Sequence, residues 1–146
     1  MKNEIKPTSK GLLTIASDAK TRKGYKQGYA TGILYLAPHL QAGMGNVCPF
    51  ASKGCAESCL YSAGRGKMSS VQTARINKTR KFFNDRKAFI AELIESVRKT
   101  VKYTEKHEFE TCIRLNGTSD LPFERLTNGL NKTVMETFPT VQFYDY

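Results

Sequence analysis

The chain alternates between short apolar segments with strand-like spacing and longer segments with helical spacing. The clearest helical pattern covers residues 86–105, where apolar side chains recur every three or four positions opposite a charged face. Ser69 and Ser70 open a second predicted helix that runs to about residue 83. The predicted strands cover residues 31–37, 109–116 and 141–146, and a short helix is predicted at 128–137.

This order of elements predicts an α/β fold with a small, mainly parallel sheet and flanking helices, similar to part of a β/α-barrel. Residues 1–28 are rich in lysine and glycine and weakly patterned, so we interpret them as a basic, extended N-terminal arm with one short strand at 12–15. Residues 29–146 are predicted to form a single α/β domain that carries a cysteine-rich loop.

The whole chain has a net charge of +10. The positive charge is concentrated in its first two thirds. From Glu108 onward the acidic residues outnumber the basic ones. A basic surface favours a polyanionic partner, with nucleic acid as the commonest kind. The alternative is a lysine-rich surface that only promotes solubility.

No apolar run approaches the roughly 20 residues that span a bilayer. The N-terminus also lacks the apolar stretch of a signal peptide. We therefore expect a cytoplasmic protein without membrane contact, whose thiols stay reduced. If the last predicted strand lies at a sheet edge, it could pair with a second copy of the chain and form a homodimer.

Three of the four cysteines lie close together, in a turn-rich loop that follows the first buried strand. Cys48, Cys55 and Cys59 have the spacing C-x6-C-x3-C, and Cys112 is the fourth cysteine. Clustered thiolates are soft ligands that hold zinc or iron–sulfur clusters. Paired C-x2-C knuckles are absent, and longer gaps let a loop wrap a bulkier group, so we expect an iron–sulfur cluster of the 4Fe–4S type, with zinc as the alternative.

Cys112 decides what such a centre could do. As a fourth ligand it would close the centre and leave a structural or electron-transfer role. As an ordinary strand residue it would leave one iron open to a substrate. Alternation places Cys112, Arg114 and Asn116 on one face of the predicted strand, and both alternatives remain open at this point.

Two polar groups of residues could support the site. The first group lies at the end of the predicted strand and consists of Arg114, Asn116, Ser119 and Asp120. These side chains could orient a ligand or hydrogen-bond cluster sulfurs. The alternative for Ser119 or Asp120 is that it caps the helix that follows. A glycine-flanked basic segment and the helix after it form a candidate anion site. Its residues are Arg65, Lys67, Arg75, Lys78 and Lys81.

The chain resembles the gene-product-eighty-eight-like family of small phage-encoded proteins. The resemblance rests on the cysteine loop, on Ile113–Asp120, which is similar to the family's Arg-x-x-x-Gly-x-x-Asp segment, and on the closing aromatic strand. The loop residues are Cys48-Pro49-Phe50-Ala51, Cys55 and Cys59-Leu60-Tyr61, and the strand is Phe143-Tyr144-Asp145-Tyr146. More distantly, the arrangement of three clustered cysteines after a first strand is similar to that of radical S-adenosylmethionine enzymes. The spacing of the cysteines differs from theirs, and no methionine-binding glycine segment follows. S-adenosylmethionine is therefore not implied as a cofactor.

Three hypotheses follow. The first is a phage-type protein that binds an iron–sulfur cluster through Cys48, Cys55, Cys59 and Cys112. Its basic surface binds nucleic acid or a host or phage protein. The second is a radical-chemistry enzyme with an open cluster iron near Arg114, Asn116 and Asp120. The third is a zinc-stabilised module that interacts with or inhibits a partner.

Overall fold

The structure is a computed structural model that describes residues 5–16, 18–38, 42–43, 45–49, 52 and 69–145. The strands of this part are β1 (Thr8–Lys10), β2 (Leu13–Ile15), β3 (Tyr29–Leu34), β4 (Glu110–Arg114) and β5 (Gln142–Phe143). Its α-helices are α1 (Ala19–Arg22), α2 (Ser69–Asn84), α3 (Arg86–Lys106) and α4 (Val134–Thr137). A 3-10 helix at Lys23–Gln27 connects α1 to β3.

The described strands form one open sheet in the order β1-β2-β3-β4-β5, which confirms the predicted α/β class. The pairs β1/β2 and β2/β3 are antiparallel, whereas β3/β4 and β4/β5 are parallel, so the sheet is mixed. The two antiparallel strands come from the segment interpreted as an arm, and Leu13 and Ile15 of β2 are fully buried. Residues 8–15 of the segment interpreted as an arm are therefore part of the sheet.

Helix α3 covers one face of the sheet with the apolar stripe that its sequence predicts. Phe89, Ile90, Leu93 and Val97 are all buried and belong to the main core cluster. Small residues allow this close packing, because a Cβ atom built on Gly32 of β3 would lie only 3.1 Å from a methyl of Thr100. Helix α2 adds Phe82, whose ring meets that of Phe89 edge-on at 5.3 Å.

A buried serine connects α3 to the turn between β1 and β2. The Ser96 hydroxyl accepts a hydrogen bond from the Leu12 amide at 2.9 Å and donates to the Glu92 carbonyl at 2.7 Å. Gly11 in that turn has a φ of +60°, and a side chain there would collide with the Ser96 hydroxyl. The N-terminal hairpin is therefore fixed to α3 by a specific polar contact.

Ser96→Ala is expected to lower the free energy of unfolding by roughly 1–3 kcal/mol, because it leaves the buried Leu12 amide without its acceptor. Ser9→Ala, on an exposed position of β1, is the matched control and should change it by less than about 0.5 kcal/mol. Urea denaturation measures both variants. Equal effects of the two substitutions would contradict this role of Ser96.

Candidate functional site

The candidate site lies at the carboxyl edge of the parallel strands β3 and β4. The chain that follows β4 returns across the chain that follows β3: the Gly117 amide donates to the Leu34 carbonyl at 3.1 Å, and the Thr118 hydroxyl donates to the Leu36 carbonyl. This is the edge at which open α/β sheets bind ligands, since the loops after successive parallel strands meet there.

Cys48 lies directly beside this turn. Its thiol donates to the Thr118 carbonyl across 3.6 Å, and its amide donates to the Asn46 side chain at 2.8 Å. The preceding residue, Val47, accepts a hydrogen bond from the Asp120 amide at 2.9 Å. The structure thus brings the first cysteine of the loop together with the polar turn that sequence analysis identified separately.

Asn116 organises that turn through both ends of its side-chain amide. The oxygen accepts from the Ser119 hydroxyl at 2.8 Å and from the Leu121 amide at 3.0 Å. The nitrogen donates to the Leu121 carbonyl at 3.0 Å and to the Asp145 carboxylate at 2.8 Å. Asn116 therefore fixes the shape of the turn and ties it to the chain after β5.

Arg114 lies just before the turn, with its Nε 3.9 Å from the Asp145 carboxylate. Asp145 therefore lies between the side chains of Arg114 and Asn116. Asp145 was not predicted as a site residue, because nothing local to it in the sequence indicates a neighbour some thirty positions earlier. Its position follows only from the parallel pairing of β4 with β5.

Cys112 occupies a different part of the molecule. It pairs with Thr31, three residues before Leu34, so the turn at Gly117 lies roughly 10 Å further along the strands. Its neighbour Thr111 contacts Thr104 of α3, which puts Cys112 on the opposite face of the sheet. Cys48, in contrast, packs against the core cluster on the α3 side.

The environment of Cys112 also disfavours a free thiolate. The residue is buried, and burial raises the pKa of its thiol, with a smaller contribution from the nearby Glu110 carboxylate. Both effects oppose loss of the proton, because the charged form is poorly solvated and repelled. Cys112 is thus a buried strand residue that is remote from Cys48.

Helix α2 borders the carboxyl edge through several contacts. The Ala37 amide donates to the Thr79 hydroxyl at 2.8 Å, and the Arg75 guanidinium lies 4.8 Å from the centre of the Tyr35 ring. Gly45 meets α2 closely, since a Cβ atom there would lie 2.6 Å from the Phe83 ring. The start of the cysteine loop is thereby held against this basic helix.

The five cations predicted as an anion site separate into groups. Arg75 and Lys78 are half-buried, and Arg75 lies on the side of α2 that borders the carboxyl edge. Lys81 instead points toward α3, where its ammonium pairs with Glu92 at 3.2 Å. Arg65 and Lys67 lie outside the described residues, as do the cysteines at positions 55 and 59.

In the described part of the chain, no group of three or more histidine, cysteine or acidic side chains is arranged to hold a metal ion. Two clefts of about 380 and 360 Å³ lie at the opposite, amino edge of β3 and β4. Both are lined by Tyr29, Glu105, Phe109 and Glu110, which offer neither a thiol nor a cation. Among the predicted site residues that the structure describes, Cys48, Asn116, Ser119 and Asp120 thus lie at the carboxyl edge, away from these clefts.

Comparisons with known proteins identify the family of the chain. Neither the search of curated proteins nor the search of solved structures found a match. No helix among the described residues is long and apolar enough to cross a membrane. A family model described as Gene product 88 matches residues 11–146, nearly the whole sequence, and the chain therefore belongs to this family of phage gene products.

Proposed function

We propose that the chain binds an iron–sulfur cluster through the thiolates of Cys48, Cys55 and Cys59, at the carboxyl edge of β3 and β4. The observation that carries the proposal is the contact of the Cys48 thiol with the Thr118 carbonyl. It puts the first cysteine of the loop beside a turn rich in amides and hydroxyls. Such donors stabilise cluster sulfurs and tune the reduction potential of a cluster.

The described residues fit a thiolate centre at Cys48. The side chain is half-buried, between the apolar core cluster and the polar turn at residues 116–121. A ligand there is shielded from water by the core on one side and lies beside the polar turn on the other. Both conditions are found around metal centres that hold their ligands in place.

Cys112 is left out of the proposed ligand set. Its position on the opposite face of the sheet, roughly 10 Å before the turn, and the raised pKa of its thiol support this choice. Three protein thiolates leave one position of a cluster to another ligand. When bound, such a cluster supplies one-electron transfer and an iron that can bind substrate.

The open position supports the enzyme hypothesis over a closed electron-transfer centre, with the Asn116–Asp120 turn as the part of the protein that would contact a substrate. Asn116 holds the turn, and the Arg114 and Asp145 side chains border it with opposite charges. These groups are suited to orient a polar ligand by hydrogen bonding. Radical chemistry is one use of such a centre.

A polyanionic partner is the second part of the proposal, with nucleic acid as its first candidate and an acidic host or phage protein as the alternative. Its support is the net charge of +10 and the exposure of Arg80, Lys99 and Lys102 on the solvent side of α2 and α3. Affinity for single-stranded DNA should fall steeply with salt concentration if phosphates are bound. A flat salt response would remove nucleic acid as a partner.

Anaerobic isolation of the full chain tests the cluster. We expect a brown protein with broad absorption near about 400 nm, and iron and acid-labile sulfide in equal amounts. Cys55→Ser and Cys59→Ser should each abolish the absorption, because each removes a thiolate ligand. A colourless protein with stoichiometric zinc would contradict the cluster and support the zinc-stabilised interaction module instead. A protein with neither iron nor zinc would contradict both hypotheses.

A further inference from the structure

The loop at residues 127–133 carries an asparagine–glycine pair on the surface of the protein. The Asn128 side-chain oxygen accepts hydrogen bonds from the amides of Leu130 and Lys132, at 2.8 and 3.3 Å. Gly129 is exposed, and apart from its chain neighbours nothing lies within 4 Å of a Cβ atom built on it. The pair is therefore held in one conformation by the loop and is open to solvent.

An asparagine that precedes a glycine can lose its side-chain amide in a reaction with the main chain. At this pair, the Gly129 amide nitrogen gives up its proton and bonds to Cγ of Asn128. The bond from Cγ to Nδ2 breaks, and Nδ2 leaves as ammonia, which balances the proton lost from the amide. A water molecule then adds to either carbonyl of the resulting succinimide ring, and the ring opens to aspartate or isoaspartate. Nothing is oxidised or reduced.

The geometry of the loop favours ring closure at Asn128. The two amide donors on its side-chain oxygen would stabilise the negative charge that develops there during the attack. Within the described part of the chain, neither Nδ2 of Asn128 nor the Gly129 amide has a hydrogen-bond partner. The leaving group and the nucleophile thus react without first breaking a bond to the protein, and glycine has no side chain that blocks the approach.

The same dipeptide occurs at Asn116 and Gly117, where the structure opposes the reaction. The Asn116 nitrogen donates to the Leu121 carbonyl and to the Asp145 carboxylate, and the Gly117 amide donates to the Leu34 carbonyl at 3.1 Å. Ring closure would break these hydrogen bonds. It would also move a tightly packed turn, since a Cβ atom on Gly117 would lie 2.7 to 2.9 Å from its neighbours.

We infer that Asn128 is a site of spontaneous deamidation in the folded protein, with Gly129 as the nucleophile and water as the co-reactant, whereas the fold protects Asn116. Each event replaces a neutral amide by a carboxylate and so makes the net charge less positive. An aspartate product can still accept from the amides of Leu130 and Lys132. An isoaspartate product adds a methylene group to the main chain and disrupts the loop in front of α4.

Peptide mass spectrometry of the full chain tests this inference, after incubation at mildly alkaline pH with and without urea. In the folded chain, deamidation should be at least about tenfold faster at Asn128 than at Asn116, because Asn116 reacts only when its turn opens locally. In urea the two rates should become similar, since both asparagines then precede a glycine in an open chain. Asn131, which is exposed and precedes a lysine, is the internal control and should keep its amide in both conditions.

Gly129→Ala tests the nucleophile. The added methyl group has open space around it, so the fold should be unchanged, but it hinders the approach of the amide nitrogen to Cγ of Asn128. Deamidation at Asn128 should therefore become slower in this variant, and an unchanged rate would overturn the inference. Equal rates at Asn128 and Asn116 in the folded wild type would also overturn it. So would a difference that persists in urea, because local sequence and not the fold would then set the two rates.

Discussion

Gly117→Ala is expected to destabilise the protein at the upper end of the roughly 1–3 kcal/mol that overpacking costs. A Cβ atom at this position would lie 2.7 Å from a methyl of Ile33, 2.8 Å from the Leu34 carbonyl oxygen and 2.9 Å from the Tyr35 ring. The carbonyl cannot move away easily, because it accepts the hydrogen bond from the Gly117 amide itself. The turn would have to shift as a unit, and with it the Thr118 carbonyl beside Cys48.

Urea denaturation and metal analysis measure the two consequences of Gly117→Ala. Gly129→Ala is the control, because nothing lies within 4 Å of a Cβ atom at that position. It should leave the free energy of unfolding unchanged or raise it by up to about 1 kcal/mol, since alanine restricts the unfolded chain. Equal stability of the Gly117 and Gly129 variants would show that the crowding at Gly117 is relieved without cost.

Asn116→Ala is the second substitution with a large expected effect. It removes the bonds that the Asn116 amide makes to Ser119, Leu121 and Asp145, and it leaves the Leu121 amide without its acceptor. We expect a loss of roughly 1–3 kcal/mol in the free energy of unfolding. If the turn supports a metal centre, metal affinity should also fall about 10–100-fold, which is typical for residues that hold ligands in place.

Asn128→Ala provides a matched control for Asn116→Ala. The Asn128 side chain also accepts two backbone hydrogen bonds, from the amides of Leu130 and Lys132, but in an exposed loop. Its removal should lower stability by less than about 1 kcal/mol and leave metal affinity unchanged. The account of the turn would be contradicted if both asparagine variants lost metal equally, or if neither did.

Much of the fold could be predicted because the longest elements have strong local patterns. The apolar stripe of α3 predicted a helix at residues 86–105, and the helix runs from Arg86 to Lys106. Strand β2 (Leu13–Ile15) lies within the short strand predicted at 12–15, whereas β1 was not predicted, because its three residues are too few for an alternation to be visible. Their burial depends on pairing with β3, a long-range contact that residues 1–28 do not reveal by themselves.

The candidate site was predictable in part, for a similar reason. Chain order puts Cys48 after one strand and Asn116 after the next, and parallel pairing brings such loops to the same edge. The face that Cys112 occupies relative to Cys48 depends on where α3 packs, which strand alternation leaves undetermined. The pairing of Lys81 with Glu92 joins two helices, so only their packing shows that this lysine is turned away from the edge.

The central claim is that Cys48, and not Cys112, belongs to a thiolate centre at the carboxyl edge. The most direct measurement is the iron and sulfide content per chain of Cys48→Ser and Cys112→Ala, both isolated anaerobically beside the wild type. We predict that Cys48→Ser loses the iron and sulfide of the wild type and that Cys112→Ala keeps them. Loss from Cys112→Ala, or full retention by Cys48→Ser, would contradict the claim.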